Sequence, residues 1–185
     1  MRRVMAFVLL LCVALGVVAI GQSAIQTCSV QAFFTSPGSD NHRGVIENKI
    51  ISLIEGAKFT IDIAMFSFTD DQLGDAIVAA AKDPDVTVHV LLDGLHATGD
   101  GGEYERSLKG NGTLEVLVER YKGMLHHKFM VIDSKIVVTG SYNWSGNAET
   151  KHYENIVVIQ CPKIAAAFTS EFNHVWSTLE AGGTP

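Results

Sequence analysis

Residues 126–154 read HHKFMVIDSKIVVTGSYNWSGNAETKHYE, and this stretch decides how the centre of the fold is built. The segment 126–133 has the apolar, β-branched composition of a strand, and residues 134–135 stand where a tight turn is expected. Residues 136–140 then return as a second strand. The sequence therefore predicts a β-hairpin over residues 126–140.

Polar side chains lie at the start of this hairpin and just after its end, at spacings that place them together. His126 and Lys128 are two residues apart, and side chains alternate along a strand, so both project from one side of the sheet. Ser141 and Asn143 are also two apart. If the turn is tight, they converge on the same side from the neighbouring strand.

These residue types suit phosphodiester cleavage, which needs a nucleophile for phosphorus and positive charge or hydrogen-bond donors around the oxygens. A neutral imidazole (His126) can attack, while an ammonium (Lys128) and an amide (Asn143) can hold the phosphate. A nucleophilic histidine must be kept in one tautomer, and Glu154 is the candidate carboxylate. The sequence predicts four catalytic residues and requires no metal or cofactor: His126, Lys128, Asn143 and Glu154.

Further residues are expected to support this set. Asp133 lies seven residues from His126, on the opposite face or in the turn, where a bond to backbone amides is expected. Gly140 and Ser141 complete the supporting group. Three basic residues are candidates for contact with a phosphate backbone, the alternative being a solvated surface: Arg120, Lys122 and Lys151.

The pattern H-x-K-x4-D, followed by G-S-x-N and a later Glu, resembles the HKD motif of the phospholipase D superfamily. It is most similar to the small single-motif bacterial endonucleases of the Nuc type. The upstream segment IAMFSFT at 63–69 also resembles the family's strand-to-helix segment. The similarity extends over about residues 30–176. A five-point pattern in matching context is far more specific than a single short motif.

The resemblance implies a double displacement, in which one histidine forms a phosphohistidine and a second protonates the leaving oxygen and then activates water. This chain carries a single copy of the motif. We therefore expect a two-fold homodimer with one active site across the interface, the second histidine coming from the symmetry mate.

Outside the hairpin, strands alternate with helices, which is typical of an α/β domain. The resemblance implies a phospholipase D-like mixed sheet flanked by helices on both faces in a single domain. A mobile loop is expected at 93–102. Residue patterns predict strands at 29–35, 58–68, 86–92, 114–118 and 154–160, and helices at 43–57, 71–82, a short one ending at 109, and 162–179.

The first 24 residues differ from the rest. Arg2 and Arg3 precede an uncharged apolar run over 4–20, followed by small and polar residues, as in a secretory signal peptide. The alternative is a retained membrane anchor formed by 4–20. We expect a signal at 1–24, a nuclease domain at 25–185, and a periplasmic or secreted protein, bound to a membrane only if the segment is retained.

Charge and cysteine content limit the interpretation. The chain has 14 Lys and Arg against 20 Asp and Glu, a net charge of −6, and removal of 1–24 leaves 12 against 20. A polyanion must therefore be held locally, because the protein as a whole does not attract it. Cys28 and Cys161 are candidates for a disulfide, the alternative being two buried thiols.

Several alternatives stay open from the sequence. His126, His127, His152 and Asp133 contain donor types that zinc accepts. Tyr142 and Trp144 are expected in the core, with stacking on bases as the alternative. The leading interpretation is a non-specific endonuclease for DNA, with RNA as a further candidate. The alternatives are a phospholipase D acting on phospholipid headgroups and a non-catalytic nucleic-acid-binding module.

Overall fold

The computed structural model describes residues 27–38, 43–96, 102–109, 114–120 and 123–182. The strands in these ranges are β1 (Ser29–Phe34), β2 (Thr60–Met65), β3 (Thr87–Asp93), β4 (Leu114–Glu119), β5 (Lys128–Ile132), β6 (Ile136–Gly140) and β7 (Asn155–Gln160). The α-helices are α1 (Val45–Glu55), α2 (Asp71–Ala80), α3 (Gly146–Lys151) and α4 (Pro162–Glu180), and Tyr104–Leu108 forms one π-helical turn. The predicted signal segment lies outside the described residues, and no described helix is long and apolar enough to span a membrane.

The strands form one mixed sheet in the order β1-β7-β6-β5-β2-β3-β4. β2, β3 and β4 run parallel to one another, whereas the other neighbours pair antiparallel. Parallel neighbours need a crossover, and α2 provides the one between β2 and β3. The predicted fold class is confirmed.

Helices cover both faces of this sheet because side chains alternate along its strands. Ile61 and Ile63 of β2 face α1 and α2 in the larger apolar cluster. Ala64 of β2 and Val131 of β5 face α4, together with its Phe172, in the second cluster. The central strands are therefore buried on both sides, as their continuous apolar runs indicate.

The β5–β6 turn is held by its own geometry and by a carboxylate. Asp133 and Ser134 both have φ of 51°, and the amide of Lys135 donates to the carbonyl of Ile132 at 3.0 Å. Positive φ at both central positions defines a type I′ turn, which matches the twist of a hairpin.

The Asp133 side chain has the structural role that the sequence predicts. Its carboxylate accepts hydrogen bonds from the backbone amides of Lys58, Phe59 and Thr60, the shortest at 2.7 Å. This contact fixes the start of β2 against the hairpin turn.

A disulfide joins Cys28 to Cys161, so the first strand is linked covalently to the residue that precedes α4. The alternative of two separate thiols is wrong. The two cysteines are 133 residues apart in sequence. The bond therefore closes a ring that contains all seven described strands of the sheet.

The structure departs from the predicted elements in two places that matter for the site. β5 begins at Lys128, so His126 lies in an extended lead-in rather than in the strand. α3 was not predicted, because Gly146 and Asn147 are poor helix formers. Its Ser145 cap, which accepts from the amide of Ala148 at 3.3 Å, supplies the missing start signal.

Acidic side chains are packed together between α1, α2 and α3. Asp70 caps α2 by accepting from the amides of Gln72 and Leu73. Burial raises the pKa of Glu47 to about 7, and the nearby carboxylates of Asp70 and Glu149 act in the same direction.

This raised pKa predicts a pH-dependent stability. Glu47 binds its proton more tightly in the folded state than in the unfolded one, so its contribution is complete below about pH 4.5 and is lost as pH rises through about 7. Glu47→Gln should flatten the decrease in unfolding free energy between pH 5 and 8, measured by urea denaturation. Glu55→Gln, at the exposed end of α1, is the matched control. An unchanged slope in Glu47→Gln would contradict the assignment.

Candidate active site

The segment that leaves β2 brings the two halves of the site together. The amide of Phe66 donates to the carbonyl of His127 at 2.9 Å. On its other side, the amide of Trp144 donates to Ser67 O at 3.1 Å, and the amide of Thr69 donates to Trp144 O at 2.8 Å. The lead-in to β5 and the chain beyond β6 are therefore both bonded to residues 66–69.

His126 and Lys128 form the pair that the sequence predicts. Lys128 Nζ lies 3.3 Å from His126 Nε2 and 3.3 Å from the His126 carbonyl oxygen. Both side chains pack on Phe66, whose ring centroid is 4.5 Å from the imidazole centroid and 4.8 Å from Nζ. His126 is exposed and Lys128 is half-buried, so a phosphate can reach the imidazole while the ammonium is partly desolvated.

Burial lowers the pKa of Lys128, and the negative charge of Glu154 acts in the opposite direction. The ammonium is therefore close enough to Glu154 to sense it. A group that is short of solvation gains more from a bound anion than one on an open surface. Lys128 is suited to hold a phosphate oxygen beside His126.

Glu154 does not take the place that the sequence gives it. Its Oε2 accepts from Ser141 Oγ at 2.5 Å, and its Oε1 lies 3.6 Å from His152 Nδ1. Within the described structure it forms no hydrogen bond with His126, so the expected carboxylate contact is not made inside one chain. The sequence spacing indicates correctly that Glu154 reaches this edge of the sheet. Its carboxylate, however, bonds to the hydroxyl of Ser141 rather than to His126.

The β6–β7 contact that positions Ser141 depends on a glycine. A Cβ on Gly140 would lie 2.1 Å from the carbonyl oxygen of Asn155 and 2.8 Å from Ile156 Cα, so only glycine allows this approach. The amide of Ser141 donates to Asn155 O at 3.1 Å, and the amide of Asn155 donates back to Ser141 Oγ at 3.1 Å.

Thr35, which the sequence does not single out, fixes the backbone of Glu154 from the other side. Its buried hydroxyl accepts from the Glu154 amide at 2.8 Å and donates to the His152 carbonyl at 2.8 Å. Its own amide donates to Glu154 O at 3.0 Å. A threonine at a strand end gives no sequence signal of such a role.

Asn143 lies in the loop between β6 and α3, with its side chain partly buried. Its Oδ1 is buried and has no hydrogen-bond partner among the described residues. A buried amide oxygen without a partner costs about 1–3 kcal/mol, and such atoms concentrate at functional sites. The loop is placed by Ser67 and Thr69, as described above.

His127, Tyr142 and Trp144 lie apart from this site. His127 points to the opposite face, where its ring lies 5.2 Å from Phe129 and its Nε2 lies 3.4 Å from Glu171 of α4. Tyr142 and Trp144 are buried in the core, so the alternative of stacking on bases is wrong. No three potential metal ligands in the described ranges come together, so these positions give the zinc alternative no support.

The basic residues proposed for substrate contact are dispersed. Arg120 is exposed just after β4, and Lys151 is exposed at the end of α3. Lys122 lies outside the described residues. The structure thus joins His126 to Lys128 and Ser141 to Glu154 by direct contacts, and it places Arg120 and Lys151 at the same end of the sheet.

A family model described as "Cardiolipin synthase, PLD-like domain" matches residues 50–176, which is more than half of the chain. The chain belongs to the phospholipase D superfamily. The match contains the whole HKD pattern, from His126 through Glu154, together with the strand-to-helix segment at 63–69.

Two solved structures share this fold over most of their length. Nuc from Salmonella typhimurium, described as a phospholipase D family member, is 30% identical, with a TM-score of 0.70 over 82% of this chain and 95% of that one. NucT from Helicobacter pylori is 22% identical, with a TM-score of 0.72 over 82% of this chain and 97% of that one, which supports the fold alone.

Curated relatives include mitochondrial cardiolipin hydrolases. The one from Chlamydomonas reinhardtii is 27% identical over 140 residues, and the one from Xenopus laevis is 29% identical over 133 residues. These matches cover 76% and 72% of this chain, but only 61% and 62% of the relatives. The chain therefore spans about three fifths of their length.

The tight contact at Gly140 predicts that a larger side chain there lowers both the stability and the activity of the protein. Gly140→Ala must force β6 and β7 apart, with a loss of about 1–3 kcal/mol in unfolding free energy, because overpacking a tight contact costs this much. It should also lower phosphodiesterase activity more than about tenfold, since Ser141 and Glu154 move with the strands. Gly146→Ala is the control, because its Cβ would meet no atom within 4 Å. Equal behaviour of the two variants in thermal melts and activity assays would refute the role of Gly140.

Proposed function

We propose that this chain is a metal-independent phosphodiesterase that acts as a non-specific endonuclease on DNA, with RNA as a further substrate. The observation that carries this proposal is the 3.3 Å contact between His126 Nε2 and Lys128 Nζ at an exposed edge of the sheet. It sets a nucleophile for phosphorus beside a fixed positive charge, which takes the place of a metal cation.

The reaction follows as two displacements on phosphorus. In the first, a bond forms from His126 Nε2 to phosphorus, the P–O bond to the leaving group breaks, and a second acid protonates the leaving oxygen. In the second, water attacks phosphorus while the residue that protonated the leaving oxygen takes the water proton, the N–P bond breaks, and the imidazole of His126 is released. Lys128 and Asn143 hold the non-bridging oxygens in both steps.

Support for a nucleic-acid substrate comes from the motif and from the share of the Nuc chain that this chain matches. The pattern resembles that of small single-motif bacterial endonucleases, and the match with Nuc covers 95% of that chain. The named residues need to recognise only a backbone phosphate, which is sufficient for cleavage without sequence preference. With the predicted signal segment, the protein would act in the periplasm or outside the cell.

A second candidate is hydrolysis of a phospholipid phosphodiester. The curated relatives are named mitochondrial cardiolipin hydrolase. In addition, Met124 is 56% exposed and lies two residues before His126, where its apolar side chain can meet a lipid surface. Site chemistry is the same for both substrates, so a direct comparison decides between them.

The deciding experiment compares two activities of the purified protein in EDTA. One is cleavage of plasmid DNA, and the other is release of phosphatidic acid from cardiolipin vesicles. We expect plasmid cleavage to persist in EDTA and His126→Ala to lower it at least about 1,000-fold, because the nucleophile is lost. His127→Ala, whose side chain is on the opposite face, is the matched control. Vesicle cleavage without plasmid cleavage would assign the lipid substrate, and unchanged cleavage in His126→Ala would reject the mechanism. Strand binding by wild type without turnover would indicate a non-catalytic module.

The single histidine motif leads to a proposal about assembly. The second acid would be His126 of a symmetry mate in a two-fold homodimer, so one active site would need both copies. After subunit exchange with an equal amount of His126→Ala, activity per wild-type chain should fall by about half, since mixed dimers are inactive. Exchange with His127→Ala should cause no such loss. Activity per wild-type chain that stays constant on mixing with His126→Ala, or a fully active monomer, would refute the shared site.

A further inference from the structure

Asp93, the last residue of β3, connects two stretches of chain beside the candidate site. Its side chain is 2% exposed. Oδ1 accepts from the amides of Leu95 and His96, each at 3.1 Å, and Oδ2 accepts from the amide of Leu125 at 3.0 Å. Because Leu125 directly precedes His126, this one carboxylate sets the position of the 95–96 turn relative to the nucleophile.

The same carboxylate orients the His96 ring. His96 Nδ1 lies 2.8 Å from Asp93 Oδ1, and an ionised carboxylate can only accept, so Nδ1 carries the proton. Nε2 is then the nitrogen that remains for a ligand. The side chain is 42% exposed, so a ligand can reach it.

Phe66 places His96 at the active site. The His96 ring centroid lies 4.1 Å from the Phe66 centroid, and the same ring contacts His126 at 4.5 Å and Lys128 Nζ at 4.8 Å. Three nitrogen-bearing side chains therefore surround one aromatic ring. His126 and Lys128 act on the scissile phosphate, which leaves His96 without a function in the reaction as described.

We propose that His96 is a substrate-binding residue whose imidazolium binds a second phosphate, the one next to the scissile phosphate in a nucleic-acid strand. The proposal rests on the proposed endonuclease function and specifies how that site recognises a strand. In the complex, Nε2–H donates a hydrogen bond to a phosphate oxygen, while Nδ1–H donates to Asp93.

Charge explains why such a residue is needed. The chain has a net charge of −6, so a strand must be held by local groups. An imidazolium between two anions, Asp93 and a phosphate, is stabilised by both. Across Phe66, the side chains of His126 and Lys128 are occupied by the first phosphate. A second phosphate within reach of Nε2 distinguishes a strand from an isolated phosphodiester.

The test combines a substitution of His96 with removal of the charge from one phosphate of the substrate. Wild type and His96→Asn are compared on a thymidine trinucleotide with two phosphodiesters and on its two analogues in which one linkage is a neutral methylphosphonate. We expect His96→Asn to lower kcat/KM about tenfold on the charged trinucleotide, mainly through KM, because a charge-assisted hydrogen bond is lost. On the analogue that is neutral at the second site, the loss should shrink to less than about twofold.

Two further variants complete the design. His96→Lys keeps a positive charge and should recover most of the affinity for the charged trinucleotide. His174→Asn, an exposed histidine on α4, should behave as wild type on all substrates. Thermal melts of each variant identify any loss of folding.

Each outcome decides the matter. A smaller loss on one neutral analogue, with recovery by His96→Lys, supports the proposal. Equal losses on all three substrates would mean that His96 acts through His126 or the fold, and no loss would mean that it does not touch the strand; either overturns the proposal. A wild-type protein that cleaves none of them overturns the endonuclease function itself, and this inference with it.

Discussion

The arrangement of the candidate site depends on backbone hydrogen bonds on both sides of residues 66–69. One side is bonded to His127 and the other to Trp144. These bonds place the lead-in to β5 beside the loop that carries Asn143. Because the backbone makes the contacts, the relative position of the two segments does not depend on side-chain rotamers. Phe66 then presents its ring to the polar groups on the exposed edge.

Much of this could be predicted from the sequence where one local pattern determines the result. Alternation along the hairpin placed His126 with Lys128, and the turn position of Asp133 predicted its bonds to backbone amides. Contacts between distant segments were not accessible in this way. Ser141 competes with His126 for Glu154, and Thr35 reaches Glu154 from another strand; neither pairing has a periodicity or spacing that marks it.

Electrostatics at the site are local, in contrast to the acidic character of the whole chain. Lys128 is partly desolvated, with Glu154 near it, so its charge is neither free in solvent nor cancelled by a close salt bridge. The carboxylate of Asp93 likewise lies beside the His96 ring, and it also accepts from the backbone amide that precedes His126. Two carboxylates, Glu154 and the buried Asp93, thus lie beside the basic side chains of the exposed edge.

The ring closed between Cys28 and Cys161 makes the stability of the protein depend on redox conditions. In the chain-entropy account, a cross-link over more than a hundred residues stabilises the folded state by about 4–5 kcal/mol, which is comparable to the whole stability of many domains. Under reducing conditions, as in a bacterial cytoplasm, the thiols stay apart and this contribution is absent. The folded state would then be weakest in a reducing compartment, and the protein would reach its full stability only after oxidation.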